Sequence, residues 1–139
     1  MRVSQKAALA AAMLSGAILA PFEQARATDL TGAWATSADE CKNVFARKGK
    51  ANQITFTPMS EVHGGGFIAE PNRLVGRTAK CRIKAKKDDG QTVNIVASCA
   101  TDIMLSNVQF VLKIVDDDNI TRVFPGIEGM EVKYHRCRL

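Results

Sequence analysis

The sequence predicts an all-β fold: a small antiparallel β-barrel or sandwich of about seven or eight short strands, with one short helix after the first strand. Three observations carry that prediction. Apolar and polar residues alternate in successive short runs, as in strands with one buried face and one wet face. Turn-forming clusters of Asp, Asn, Gly and Pro separate those runs at roughly 8–12-residue spacing. The chain holds four cysteines, Cys41, Cys81, Cys99 and Cys137, with no Cys-x-x-Cys pair. An even count without that motif reads as structural disulfides of an exported domain, not as a redox pair or a zinc knuckle.

Residues 1–27 read as a secretory signal. Arg2 and Lys6 make a positive start, and Ala7 to Ala20 is uncharged and rich in Ala and Leu. That run is shorter than the about 20 apolar residues a membrane-spanning helix needs. Ala25-Arg26-Ala27 fits the small-x-small cleavage rule, so cleavage is expected after Ala27. No later segment is apolar enough to span a membrane as a helix. The style of the signal is that of Gram-negative bacteria, which predicts the periplasm. The whole chain carries 19 basic and 14 acidic side chains. Removing Arg2, Lys6 and Arg26 with Glu23 leaves a mildly basic single domain over residues 28–139, without the charge of a dedicated nucleic-acid binder.

Leu30 to Trp34 opens the domain as a first strand. Ser37 is a fair N-cap with Glu40 three residues later, and Cys41, Val44 and Phe45 share a helical face, so a short helix is expected within Thr36–Arg47, ended by Gly49. Asn52–Thr57 alternates as a strand, Pro58–Gly65 is a loop, and Gly66–Glu70 is a short strand before the turn at Pro71-Asn72. Arg73–Lys87 reads as one long strand with a bulge or bend at Gly76. Gln91–Ala100, Asn107–Val115, Ile120–Phe124 and Met130–Arg136 complete the set, with a turn at Asp116–Asn119.

Lys80–Cys99 is the clearest hairpin. Cys81, Ile83 and Ala85 share one face of its first arm, and Val93, Ile95, Ala97 and Cys99 one face of its second. Asp88-Asp89-Gly90 supplies the turn. With that loop Cys81 faces Ala97 and lies one diagonal step from Cys99. The pairing favoured here is Cys41–Cys81, tying helix to sheet, with Cys99–Cys137. The rival is Cys81–Cys99 with Cys41–Cys137.

Gly32-x-Trp34 at the head of the first strand resembles the signature of the calycin group of barrels: lipocalins, fatty-acid-binding proteins and avidins. The resemblance implies that Trp34 closes one end of a barrel and that a basic residue late in the last strand, here Arg136, packs over its ring. A single Trp and a single Tyr leave out the aromatic ligand box of avidins. The overall pattern is also similar to small exported proteins of alphaproteobacteria.

Five features are candidate sites. The inward apolar set Ile54, Phe56, Phe67, Ile83, Ile95, Phe110 and Leu112 would line the cavity of a carrier for a small apolar ligand. In so small a barrel the same side chains can simply fill the interior. Lys80, Arg82, Lys84 and Lys86 form a basic strand face, the basis of an alternative function: binding an anionic envelope component or acidic protein. Charged side chains also protect strand edges. Glu61 to Gly66, containing His63 and three glycines, could offer backbone N–H groups to an anion, yet no Gly-x-Ser-x-Gly nucleophile accompanies it. His63 and His135 lack further ligands at metal-binding spacing, and Asp116–Asn119 lacks the alternation of a calcium loop. The reading is a non-enzymatic binding module without a cofactor.

Overall fold

The strands pair in chain order and close on themselves. The computed structural model of the protein describes residues 27–139; the predicted signal segment, residues 1–27, lies outside them except for Ala27. Eight strands form a closed barrel: β1 (Gly32–Ala35), β4 (Gly66–Glu70), β5 (Arg73–Val75), β6 (Lys80–Asp88), β7 (Thr92–Ala100), β8 (Leu105–Asp116), β9 (Asn119–Val123) and β10 (Glu131–Cys137). Every neighbouring pair is antiparallel, and β10 returns to β1 with Trp34 opposite Arg136. Closure satisfies both sheet edges, and it selects the barrel over the sandwich.

Between β1 and β4 the chain leaves the barrel. It forms a 3-10 turn at Ala38–Glu40, then α1 (Cys41–Val44), β2 (Phe45–Lys48) and β3 (Gln53–Phe56). The predicted helix is therefore one turn long. Phe45 takes extended backbone and pairs with Phe56, because β pairing within a short hairpin outweighs the helical spacing of Val44 and Phe45. Ser37 makes no side-chain cap.

This outer layer gives the molecule two cores. The barrel interior holds Trp34, Leu74, Val93, Ile95, Ala97, Leu112 and Ile120. Outside the wall, α1 and the β2–β3 hairpin cover Ala33, Ala35 and Ile68 with Val44, Phe45, Ile54 and Phe56. β1 is consequently buried on both faces. Ile54 and Phe56, expected to face inward, pack outside the barrel. Their alternation was read correctly, but the face they bury is the back of the sheet.

Two further expectations change. The stretch from Arg73 is not one bent strand: Gly76 to Ala79 reverses the chain, and β5 pairs antiparallel with β6, Leu74 opposite Cys81. In the main hairpin a bulge around Lys84 shifts the register, and Cys81 lies directly opposite Cys99. The disulfides are Cys81–Cys99 and Cys41–Cys137, so the favoured pairing is corrected to its rival. The reason is parity: Cys81 and Cys99 both point into the barrel, while Cys41 and Cys137 both belong to the outer core.

Among the described residues no helix is long and apolar enough to cross a membrane.

Candidate functional site

One end of the barrel is closed. Trp34 is fully buried, and its indole Nε1 donates to the Leu30 carbonyl at 2.8 Å. Arg136 lies across it, its guanidinium carbon 4.3 Å from the ring centroid. Arg136 also donates to the carbonyls of Thr31 (2.7 Å), Asp29 (2.9 Å) and Asp117 (2.9 Å). These bonds tie the incoming chain and the β8–β9 turn over the tryptophan. Gly32, Trp34 and Arg136 thus meet at one end of the barrel.

The other end is hollow. A cavity of about 340 Å³ lies beneath the β5–β6 and β7–β8 turns. Apolar side chains dominate its wall, with Phe67, Leu74, Val108, Phe110 and Leu112 among them, and the Cys81–Cys99 bridge also lines it. Tyr134 stands edge-on to Phe67, ring centroids 5.0 Å apart. Of the predicted lining residues, Phe67, Phe110 and Leu112 reach this cavity. Ile83 and Ile95 lie toward the closed end beside Lys86 and Leu30. Clefts also lie at the Trp34 end, one of about 500 Å³ beside Trp34, Ile114 and Arg136 and one of about 210 Å³ beside Leu30, Ile83 and Ile95; the chamber around Phe67 and Phe110 differs from them in its more apolar wall.

The cavity wall contains one charged group, Arg122 on β9. Its neighbours across the ladders are Leu112 and Val132. Its guanidinium carbon sits 4.4 Å from the Phe110 centroid and 4.5 Å from that of Phe124. The sequence reading passed over Arg122. The available signal was its alternation with Ile120 and Phe124, which puts a charge on an apolar face.

The basic stripe is not continuous. Lys80 and Arg82 lie opposite Ala100 and Ser98 on the outside, with Lys84 exposed at the bulge. Beyond the bulge the parity inverts, so Lys86 lies opposite the buried Ile95. Its Nζ donates to the Thr28 carbonyl at 3.1 Å, and the Thr28 N–H donates to Asp88 Oδ2 at 2.6 Å. Lys86, although solvent-exposed, and Asp88 hold the entering chain. That bond from the Thr28 backbone is the main reason the Asp88 carboxyl is held below the usual carboxylate range.

The glycine run has a packing explanation. A Cβ on Gly66 would lie 2.7 Å from the Trp34 carbonyl oxygen and 2.8 Å from the Phe45 ring. Gly64 has φ +101°, and a Cβ there would meet the Thr36 hydroxyl at 2.8 Å. Thr36 also accepts from the Gly65 N–H at 3.1 Å. The loop is thereby strapped to the end of β1. His63 Nδ1 lies 3.0 Å from Glu40, and His135 Nδ1 lies 2.6 Å from Asn119. Among the described residues no cluster of three or more His, Cys, Asp or Glu side chains is placed to hold a metal.

Comparison of the chain with protein families, with curated proteins and with solved structures finds no match.

Proposed function

We propose that the protein is a non-enzymatic binding module of the periplasm that carries a small apolar ligand inside its barrel, in the manner of a small calycin. The apolar chamber carries this reading. A barrel built only for stability gains by filling its interior, since empty space forfeits dispersion contacts. Here Trp34 and Arg136 cap one end, and the chamber of about 340 Å³ toward the other end is lined mostly by apolar side chains. At roughly 30 Å³ per water-sized group, that space suits a ligand of about a dozen non-hydrogen atoms.

The rim supports the same reading. In an up-and-down barrel, alternate turns lie at one end, so the β5–β6, β7–β8 and β9–β10 connections surround the cavity. They expose Ile103 (94%), Met104, Leu105, Ile127 and Met130. Clustered apolar side chains in water mark a contact surface. An apolar ligand crossing such a rim is never fully hydrated on its way in.

The test is titration with the neutral fluorophore 1-naphthylamine, which is small enough for that space, with native mass spectrometry beside it. Saturable binding of one probe per chain, weakened by Phe110→Ala, supports a carrier. A flat titration and a bare native mass would overturn it.

A second reading keeps the outer basic face as a site for an acidic protein or anionic lipid. Lys80, Arg82 and Lys84 support it, with Arg73 beside Arg82 across the β5–β6 ladder. It is weaker, because Lys86 lies beyond the bulge on the other face of the strand and spends its Nζ on the Thr28 carbonyl. Salt-sensitive binding to anionic vesicles, lost on changing Lys80 and Lys84 to Ser, would support it.

A further inference from the structure

Two arginines point into this barrel, and they are treated differently. Arg136 spends its N–H groups on three backbone carbonyls. Arg122 has no hydrogen bond or ion pair from its side chain to any described residue, and its Nε is buried without a partner. The residue as a whole is half-buried, but its buried Nε is a donor without an acceptor, a penalty that a ligand oxygen would relieve. The stabilisation that Arg122 does receive is incomplete in a particular direction. Phe110 and Phe124 lie within cation–π distance of its guanidinium. Ring contacts of that kind satisfy no N–H group, and a guanidinium carries five such donors around its edge.

The surroundings say what those donors fit. Among the residues that line the cavity there is no carboxylate to neutralise the charge. Its other polar side chains are neutral hydroxyls, those of Thr101, Ser106 and Tyr134. The rest of the wall is apolar. A planar fork of donors at the side of an apolar chamber matches a planar acid group attached to a short hydrocarbon body.

We infer that the ligand is an amphiphilic anion, a carboxylate in the first instance, whose acid group is held by Arg122 while its apolar part fills the space between Phe67, Leu74, Val108 and Leu112. This rests on the carrier reading and narrows it to a chemical class. Bound carboxylate would give Arg122 the hydrogen bonds it lacks. The two phenylalanines would keep the guanidinium in place in the empty barrel, so little side-chain freedom is lost on binding.

The experiment compares octanoate with octan-1-ol, which share a chain length and differ in charge, by calorimetric titration of the full folded chain. Octanoate is expected to bind about 10- to 100-fold more tightly, the usual worth of a charge-assisted bidentate contact. Arg122→Met should abolish that preference, read as the ratio of octanoate to octan-1-ol affinity within the same variant. Arg122→Lys should restore only part of it, because an ammonium keeps the charge without the fork. Equal binding of the two probes to the unmodified protein would overturn the anion assignment and leave the carrier reading standing. Binding of neither would remove the carrier reading itself. A preference for octanoate that survives Arg122→Met would overturn the role of Arg122. The first comparison needs no variant, so the inference stays testable even if a substitution at Arg122 fails to fold.

Discussion

Arg136 and Trp34 stand opposite each other on β10 and β1, and the guanidinium of one lies 4.3 Å above the ring of the other. The contact joins the last barrel strand to the first, where closure has to be secured. It also brings three carbonyl acceptors from two separate loops to one side chain. Removing the arginine would open the seam and leave those carbonyls to water.

Arg136→Ala is therefore expected to cost about 2–4 kcal/mol, from the cation–π contact and the charged hydrogen bonds together. Arg136→Lys should recover less than half, since it cannot reach three acceptors in one plane. Urea unfolding followed by the emission of Trp34, the sole tryptophan, checks both. Arg136→Ala should also shift native emission to the red as water reaches the ring.

The two disulfides should differ in worth. Cys41–Cys137 spans 96 residues and Cys81–Cys99 spans 18. On the chain-entropy account the longer loop is worth about 1.5 kcal/mol more. The double Ser variant of Cys41 and Cys137 should have the lower urea midpoint. Non-reducing peptide mapping should recover Cys41 with Cys137 and Cys81 with Cys99.

The glycines separate by position. Gly66→Ala forces a Cβ against the Trp34 carbonyl and the Phe45 ring, and should cost about 1–3 kcal/mol as local overpacking. Gly65→Ala meets only a methyl group at 3.5 Å and should stay within about 0.5 kcal/mol of the parent. Thermal unfolding of the pair distinguishes packing at the strand from simple loop flexibility.

Asp88 makes a pH-dependent clasp on Thr28. Its pKa is lowered on folding, chiefly by the Thr28 backbone bond. A lowered pKa contributes stability above the unfolded value, near ~3.9, and that contribution is lost as pH falls through the folded value. Asp88→Asn should thus lower the thermal midpoint at pH 7 and converge with the parent as pH falls below the lowered folded value. In a chain beginning at Thr28 the same nitrogen is a terminal ammonium. The Asp88→Asn penalty should then be larger than in a chain with residues retained before it.

Much of the architecture was legible because it is local. Gly66–Glu70 was read at its observed limits, since glycine and the Pro71-Asn72 turn bracket an apolar run. The Asp116–Asn119 turn and the alternation of Val108, Phe110 and Leu112 were equally plain. The site was less legible. Phe67, Phe110 and Leu112 were placed inward by period two, but nothing in that pattern separates the capped end of a barrel from the apolar chamber. Arg122 was missed because a single charge in a short strand looks like a solvated position until its neighbours are known.

The sequence by itself determined most of the strands and turns, the short helical interruption after β1 and the even set of cysteines, but not β2 or the reversal at Gly76–Ala79 that separates β5 from β6. What it determined follows from side-chain periodicity and turn chemistry, which act over a few residues. Only the tertiary structure decided register, disulfide partners and which apolar faces meet. One extra residue at the Lys84 bulge reverses the facing of every side chain beyond it, setting Lys86 opposite Ile95 and within reach of the Thr28 carbonyl. The β2–β3 hairpin sends Ile54 and Phe56 to the back of the wall. The surroundings of Arg122 come from β8, β9 and β10, and no local pattern encodes what three strands enclose.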